Sequence, residues 1–290
     1  MNFGIYPNLG KENLKECLQK LCGALEDRGM DYAFPLSMKE GLSRLGFGNG
    51  KFETIEELGN RNIVFSVGGD GSFLGAARTF RNYPVLMAGV HLGELGFLNS
   101  ITCGELDDRL SLIFRGDFEV ESRLFLSATL VREDGKEETL PDVLNDVVVG
   151  HSAIGQLARI RLSINHHFIQ EYAADGLIIS TPTGSTGYSL SCGGPVLGPS
   201  AKEIIVVPVC AHTLQRFSMV LKDQDLVEIT APEREKSLMI SLDGACSCAF
   251  SNRDHLFIRA IHKPLRFIRF KDQDFFGTIT RKLVRKIVEN

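Results

Sequence analysis

The segment Asn62 to Val67 (NIVFSV) is an apolar run that stops at Gly68-Gly69-Asp70-Gly71. A short apolar run bounded by glycines reads as a strand buried on both faces. Gly71 to Phe80 carries helical spacing behind it, and Pro84 to Val90 is a further apolar run. The order is therefore strand, tight turn, helix, strand, the signature of a βαβ unit in a parallel sheet. The glycines then stand at the carboxyl end of a strand.

Phe3 to Tyr6 reads as a further strand and Leu14 to Leu25 as a helix, which extends the α/β pattern over the first third. From about Glu119 the pattern changes to alternation, as in Arg123 to Arg132, with turn signals such as Asp134-Gly135. The tail from Phe276 to Val288 places Ile279, Leu283, Val284 and Ile287 at roughly helical spacing amid basic residues. The expected fold is an N-terminal Rossmann-like α/β domain over 1–118 plus 268–290. A β-rich, β-sandwich-like domain is inserted over 119–267, and a C-terminal helix returns to the first domain.

A length of 290 residues suffices for two such cores, and a net charge of -4 gives no broad basic field for nucleic acid. The N-terminal residues carry no basic start before an apolar run, and no stretch approaches the roughly 18 apolar residues of a membrane span. A cytoplasmic protein with neither nucleic-acid nor membrane partners is expected. Seven cysteines without paired CxxC spacing fit neither a disulfide framework nor a structural zinc site, and are read as reduced, mostly buried thiols.

The Gly68–Gly71 turn lets backbone N–H groups face an anion without Cβ obstruction, and the helix N-terminus behind it adds partial positive charge. The Gly-Lys-Ser/Thr ending of a Walker loop is missing, and Gly69, Gly71 and Gly75 miss GxGxxG spacing by one residue. Asp70 either caps the helix, or takes or orients a hydroxyl proton beside phosphates and a divalent metal.

A second segment, Asp175 to Ser191 followed by Gly193-Gly194-Pro195, joins a short strand to a loop dense in hydroxyls and glycines. Tyr188 offers an aromatic face to a purine or nicotinamide ring, and Asp175 an acceptor for a base amino or sugar hydroxyl. Ser185 and Ser189 lack a base nearby in sequence and the GxSxG pattern, so a serine hydrolase has little support. Asn145 and Asp146 open another apolar strand, where either side chain can reach a sugar or metal or cap a turn. His166-His167 has no carboxylate-rich spacing beside it and reads as surface or sheet.

Gly68-Gly69-Asp70-Gly71, the run Gly89 to Leu98 (GVHLGELGFL), Asn145-Asp146-Val147-Val148, Asp175 to Ser191 and Asp243-Gly244 occur together in this order. Together they resemble the NAD kinase family, and the TPTGSTGYSLS segment is the most specific part. The resemblance covers most of the chain and implies phosphorylation by ATP of the adenosine-ribose 2′-hydroxyl of NAD, giving NADP and ADP. It implies that Asp70 is catalytic and that Gly68, Gly69 and Gly71 approach the nucleotide phosphates. Asn145, Asp146, Asp175, Thr186, Gly187, Tyr188, Ser189, Leu190 and Ser191 match segments that hold the dinucleotide. It further implies a divalent cation, Mg²⁺ by preference, with no ligands assigned, and a homo-oligomer, dimer or tetramer, in which the β-rich domain serves dinucleotide binding and assembly.

The sequence departs from the family pattern at His91, where Asn is usual, at Ala173 for Arg, at Ala245 for Gln and at Gly187 for Ala. Cys210 to Ser218 keeps His-Thr-Leu but loses the flanking Pro and Arg-Pro, leaving Phe217 in their place. Weaker or altered substrate contacts are expected from these losses. A lipid or sugar-phosphate kinase using a GGDG turn, or a nucleotide sensor with weakened turnover, are the alternatives.

Overall fold

The computed structural model describes residues 1–93, 96–151, 157–212, 217–235 and 238–284. The chain forms two compact units, Met1–Ser122 with Pro264–Asn290, and Arg123–Lys263.

The first unit is built on a parallel sheet. Strand Asn2–Pro7 pairs with Asp31–Pro35 on one side and Ile63–Gly68 on the other. Ile63–Gly68 pairs with Leu86–His91, which in turn pairs with Arg266 and Phe267. Phe52–Glu53 extends the opposite edge beside Asp31–Pro35. Alternation along the strands places helices on both faces. Phe3 meets Phe114 of the helix Leu106–Arg115 at 5.9 Å, whereas Tyr6 meets Phe80 of the helix Asp70–Phe80 at 5.5 Å.

Helix Leu14–Glu26 buries Leu14, Cys17, Leu18, Leu21 and Leu25 on one stripe. Each fully buried leucine contributes about 1.5–3 kcal/mol relative to exposure. Helix Ile55–Gly59 starts in a capping box, with the Glu57 N–H donating to Thr54 Oγ1 at 3.2 Å and the Thr54 N–H to Glu57 Oε2 at 2.8 Å. The strand bounds expected for 3–6, 62–67 and 84–90 fall within one or two residues of those observed.

The second unit stacks two antiparallel sheets. One runs His167–Ala174, Ala158–Ile164, Val227–Thr230 and the start of His255–Arg269. The other runs Met219–Lys222, Glu203–Val209, Gly176–Ser180, Asp146–Gly150, Leu238–Leu242 and Cys246–Phe250. Their inner faces share one core that includes Ile160, Tyr172, Val149, Ile179, Val206 and Ile240. Central strands of the second sheet are buried on both faces, because Ile178, Ile205, Val207 and Val209 form an outer cluster. That double burial explains why LII and IIVV run apolar without alternation.

Two expectations need correction. All seven cysteines are free, but only Cys17 and Cys22 are buried, while Cys210 and Cys246 are exposed. Cys246 and Cys248 lie on Cys246–Phe250, an edge strand paired on one side only among the described residues. The tail is also not one regular helix: Phe275–Ile279 is α-helical and Thr280–Val284 is a wider turn. Residues 285–290, including Ile287, lie outside the described residues.

Candidate active site and nucleotide-binding segments

In the first unit the order of the sheet reverses at Asn2–Pro7, whose neighbours are Asp31–Pro35 on one side and Ile63–Gly68 on the other. In open α/β sheets the crevice outside the carboxyl ends at such a reversal is where ligands bind. A crevice of about 350 Å³ lies there, lined by Tyr6 to Gly10, Met38, Gly71, Ser72 and Gly75. Asn8 spans the gap: its N–H donates to the Val67 carbonyl at 2.9 Å and its Nδ2 to Ser72 Oγ at 2.8 Å.

At Gly68 the turn into the helix has no room for a side chain. A Cβ on Gly68 would lie 2.3 Å from Ser72 Oγ. The Gly69 N–H donates to that same Ser72 Oγ at 3.3 Å, which stitches the turn to the first helical turn. His91 ends the neighbouring strand with its Nδ1 accepting from the Gly93 N–H at 2.9 Å and its ring beside Gly69.

Asp70 opens the helix, and its carboxylate is gripped by the segment after His91. Oδ2 accepts from the Phe97 N–H at 2.8 Å, and Oδ1 accepts from the Leu98 N–H at 3.3 Å and from Asn99 Nδ2 at 2.8 Å. Gly96 permits the approach, because a Cβ there would sit 1.9 Å from Asp70 Oδ1. A carboxylate has about four acceptor positions, and three are occupied from this side. The fourth has no partner among the described residues. Residues 94–95 of the family-like run lie outside the described residues.

In the second unit Asn145, Asp146 and Thr181 meet at one strand end beside Asp243, whereas Asp175 lies at the other end of the strand Gly176–Ser180, beside Gly150 and Val209. Asp243 accepts three backbone N–H bonds, from Leu144 at 3.1 Å, Asn145 at 2.8 Å and Asp146 at 3.1 Å. Thr181 ties the following loop to the same strand end: its N–H donates to the Asn145 carbonyl, its hydroxyl donates to the Leu144 carbonyl, and that hydroxyl accepts from the Gly184 N–H. A Cβ on Gly184 would lie 2.3 Å from the Asn145 carbonyl oxygen. The loop itself is a 3₁₀ turn, Gly184–Thr186, followed by a helical turn, Tyr188–Ser191, lying over the outer cluster with Cys192 packed on it.

Asp146 is 6 % exposed, and burial together with the nearby Asp243 charge pushes its carboxyl up to about 7. Asp175 and Tyr188 are exposed, whereas Ser189 is buried with no hydrogen-bond partner for its hydroxyl among the described residues. Burial, with Cys192 close by, raises the Tyr188 phenol and keeps it neutral. Asn145 likewise has a buried Oδ1 without a partner, and its Nδ2 stands 3.6 Å from the position of a Cβ on Gly187. Thr186, Gly187 and Leu190 are half-buried along the same turn, and Ser191 is exposed.

The departures sit around these segments. Ala173 is half-buried, and its carbonyl accepts from the His212 N–H; Ala245 is exposed in the turn after Asp243; Phe217 is 51 % exposed. Residues 213–216 lie outside the described residues. Sequence reasoning placed Gly96 and Asp243 in family-like segments without giving either a role, and it did not single out Asn99. Gly96 was visible as part of the run Gly89 to Leu98, whereas Asn99, just beyond it, carried no such signal.

Comparison with known proteins agrees with this picture. Residues 3–118 match the ATP-NAD kinase N-terminal domain and residues 144–270 match the ATP-NAD kinase C-terminal domain. An NAD kinase of Caldanaerobacter subterraneus subsp. tengcongensis is 32 % identical over 98 % of this chain and 99 % of its own length. One from Magnetococcus marinus is 36 % identical over 79 % of this chain and 76 % of its own. Among solved structures, yeast NADH kinase complexed with NADH superposes with a TM-score of 0.87 at 19 % identity, covering 98 % of this chain and 87 % of that one. An NAD kinase from Archaeoglobus fulgidus in complex with ATP gives 0.75 at 21 % identity, with both chains fully covered. With both family domains matched in order and a relative aligned end to end, the chain belongs to the ATP-NAD kinase family.

Proposed function

We propose that the protein transfers the terminal phosphoryl group of ATP to the adenosine-ribose 2′-hydroxyl of NAD, giving NADP and ADP. The observation that carries the chemistry is Asp70, a carboxylate fixed by three N–H donors with one acceptor position left over. A hydroxyl donating to that position has its oxygen lone pairs turned away from the carboxylate, ready for attack on phosphorus. Phosphoryl transfer runs through a loose transition state, so positioning and charge stabilisation matter more than a strong base. Asp70 thus orients the nucleophile and accepts its proton late. The crevice between Asn8 and Ser72 is the proposed approach for the donor phosphates, with the free N–H groups at the start of the helix Asp70–Phe80 facing them.

Asn145, Asp146, Asp175 and the turn Thr186 to Ser191 are proposed to hold the dinucleotide, with Tyr188 as the stacking face. The partnerless Oδ1 of Asn145 and hydroxyl of Ser189 support a polar ligand at this segment.

A divalent cation fits only in one way. The described residues contain no cluster of three or more His, Cys, Asp or Glu side chains able to cage a metal. Mg²⁺ is commonly bound by one or two carboxylates plus substrate phosphates, and Asp70, next in sequence to the crevice-lining Gly71, would supply such a carboxylate. The cation would neutralise charge on the phosphates when bound with the nucleotide.

No helix among the described residues is long and apolar enough to cross a membrane. A cytoplasmic homo-oligomer completes the proposal, and the edge strand His167–Ala174 supports assembly by exposing Phe168 and Ile169.

NADP formation from ATP, Mg²⁺ and NAD, measured beside Asp70→Asn and with diacylglycerol, sphingosine and fructose 6-phosphate as other acceptors, tests the reading. NADP formation that collapses in the variant supports it. Phosphorylation of another acceptor in place of NAD overturns it.

A further inference from the structure

Asp70 is useful only if its open acceptor position points one way, and the structure holds the device that aims it. Asn99 is 1 % exposed and donates from Nδ2 to Asp70 Oδ1 at 2.8 Å across 29 positions of sequence. Its other amide atom, Oδ1, packs against Gly89, where a Cβ would lie 2.4 Å away. The absence of a side chain at Gly89 is what makes room for the amide. The backbone carrying it is pinned as well: Gln273 Nε2 donates to the Ser100 carbonyl at 2.5 Å, the Ser100 N–H donates to the Gly89 carbonyl at 3.0 Å, and Arg269 Nη2 donates to the Phe97 carbonyl at 3.4 Å.

Packing alone does not fix this segment. A cavity of about 190 Å³ lies against it, lined by Gly96, Phe97, Asn99 and Arg269 among others. Hydrogen bonds rather than a filled core therefore set the geometry on that side. The two backbone donors, Phe97 and Leu98, are common to any residue, but the third donor exists only because position 99 is an amide.

We propose that Asn99 is a positioning residue for the phosphoryl transfer, holding Asp70 so that its one open lone pair faces the acceptor hydroxyl. This rests on the role given above to Asp70. Asn99 reaches no substrate; it acts through the carboxylate, so it affects turnover rather than affinity. A misplacement of about 1 Å at a reacting group costs about 100-fold in rate.

The test is steady-state kinetics on the full chain with Asn99→Leu, Asn99→Ala, Asn99→Asp and Asp70→Asn. Asn99→Leu fills the volume without the donor and is expected to lower kcat by roughly 10- to 100-fold, with the KM values for ATP and NAD within about twofold. Asn99→Ala, with space left for water, should lose a similar amount. Asn99→Asp keeps the shape but sets a second carboxyl against the first, and the acid limb of its kcat profile is expected to move up by about one pH unit or more. Wild-type kcat in Asn99→Leu and Asn99→Ala, or a loss carried entirely by KM, overturns the inference while Asp70→Asn stays impaired. Wild-type kcat in Asp70→Asn overturns the reading of Asp70 itself.

Discussion

Three N–H groups already bind Asp70, so a substrate hydroxyl meets a carboxylate of fixed rotamer. Asp70→Asn keeps its size but turns one acceptor into a donor facing those N–H groups. Turnover is expected to fall by about 100-fold or more, with unchanged circular dichroism excluding misfolding. Asp146 makes a different prediction. Its folded carboxyl holds a proton up to about pH 7, whereas the unfolded one releases it near 3.8. The native state binds more protons between those values, so this contribution is complete below about 3.8, is lost as pH rises through 7, and is flat above. The Tm of the wild type is expected to decline from pH 5 to pH 8 more steeply than that of Asp146→Asn, followed by scanning calorimetry. Ala173→Arg and Ala245→Gln are expected to lower the KM for NAD if these positions face the dinucleotide; unchanged KM in both ends that idea. Asp70 was legible because three glycines frame it at a strand end. Asn99 was not, since its partner lies 29 positions away and only the folded backbone joins them.

At the scale of elements, the hydroxyl-rich loop of the second unit is built around a backbone contact rather than a side-chain one. Gly184 lies over the Asn145 carbonyl so closely that a methyl group would strike backbone atoms at 2.3 and 2.7 Å. Neither partner can yield without breaking the Thr181 bonds to the same strand end. Gly184→Ala is expected to destabilise the protein by about 1–3 kcal/mol, read from urea unfolding, and to raise the KM for NAD. The alternation from Glu119 onward correctly implied antiparallel strands, and the apolar run at 62–67 implied a buried parallel one. In the tail the spacing implied a helix, which Phe275–Ile279 begins, but basic residues and loosely spaced apolar ones did not distinguish the α turn from the wider turn of Thr280–Val284. Cysteine depth was equally illegible, since the edge position of Cys246–Phe250 follows from strand order rather than from the residue.

Considered as a whole molecule, the second unit ends its two sheets with strands that, among the described residues, are paired on one side, and these display Phe168, Ile169 and Val220. Unpaired apolar edges favour association. Light scattering is expected to give a mass above one chain for the wild type and a smaller mass for Phe168→Lys combined with Val220→Lys.

The strand His255–Arg269 has its own consequence. It begins in the second unit, pairing Leu256 to Ile258 with Val227 to Ile229, and ends in the first, where Arg266 and Phe267 pair with Leu86 and Met87. Ile268 and Phe270 belong to the first unit's core, and Asp272 receives the guanidinium of Arg109. A ribosome making this chain delivers the first 122 residues, then must supply residues 123–263 before those closing pieces appear. At about 5–20 residues per second, that leaves the nascent first unit one strand short for on the order of ten seconds. The later-made inserted unit has all its strands on the growing chain first, so the two halves mature in the reverse of the order in which they begin.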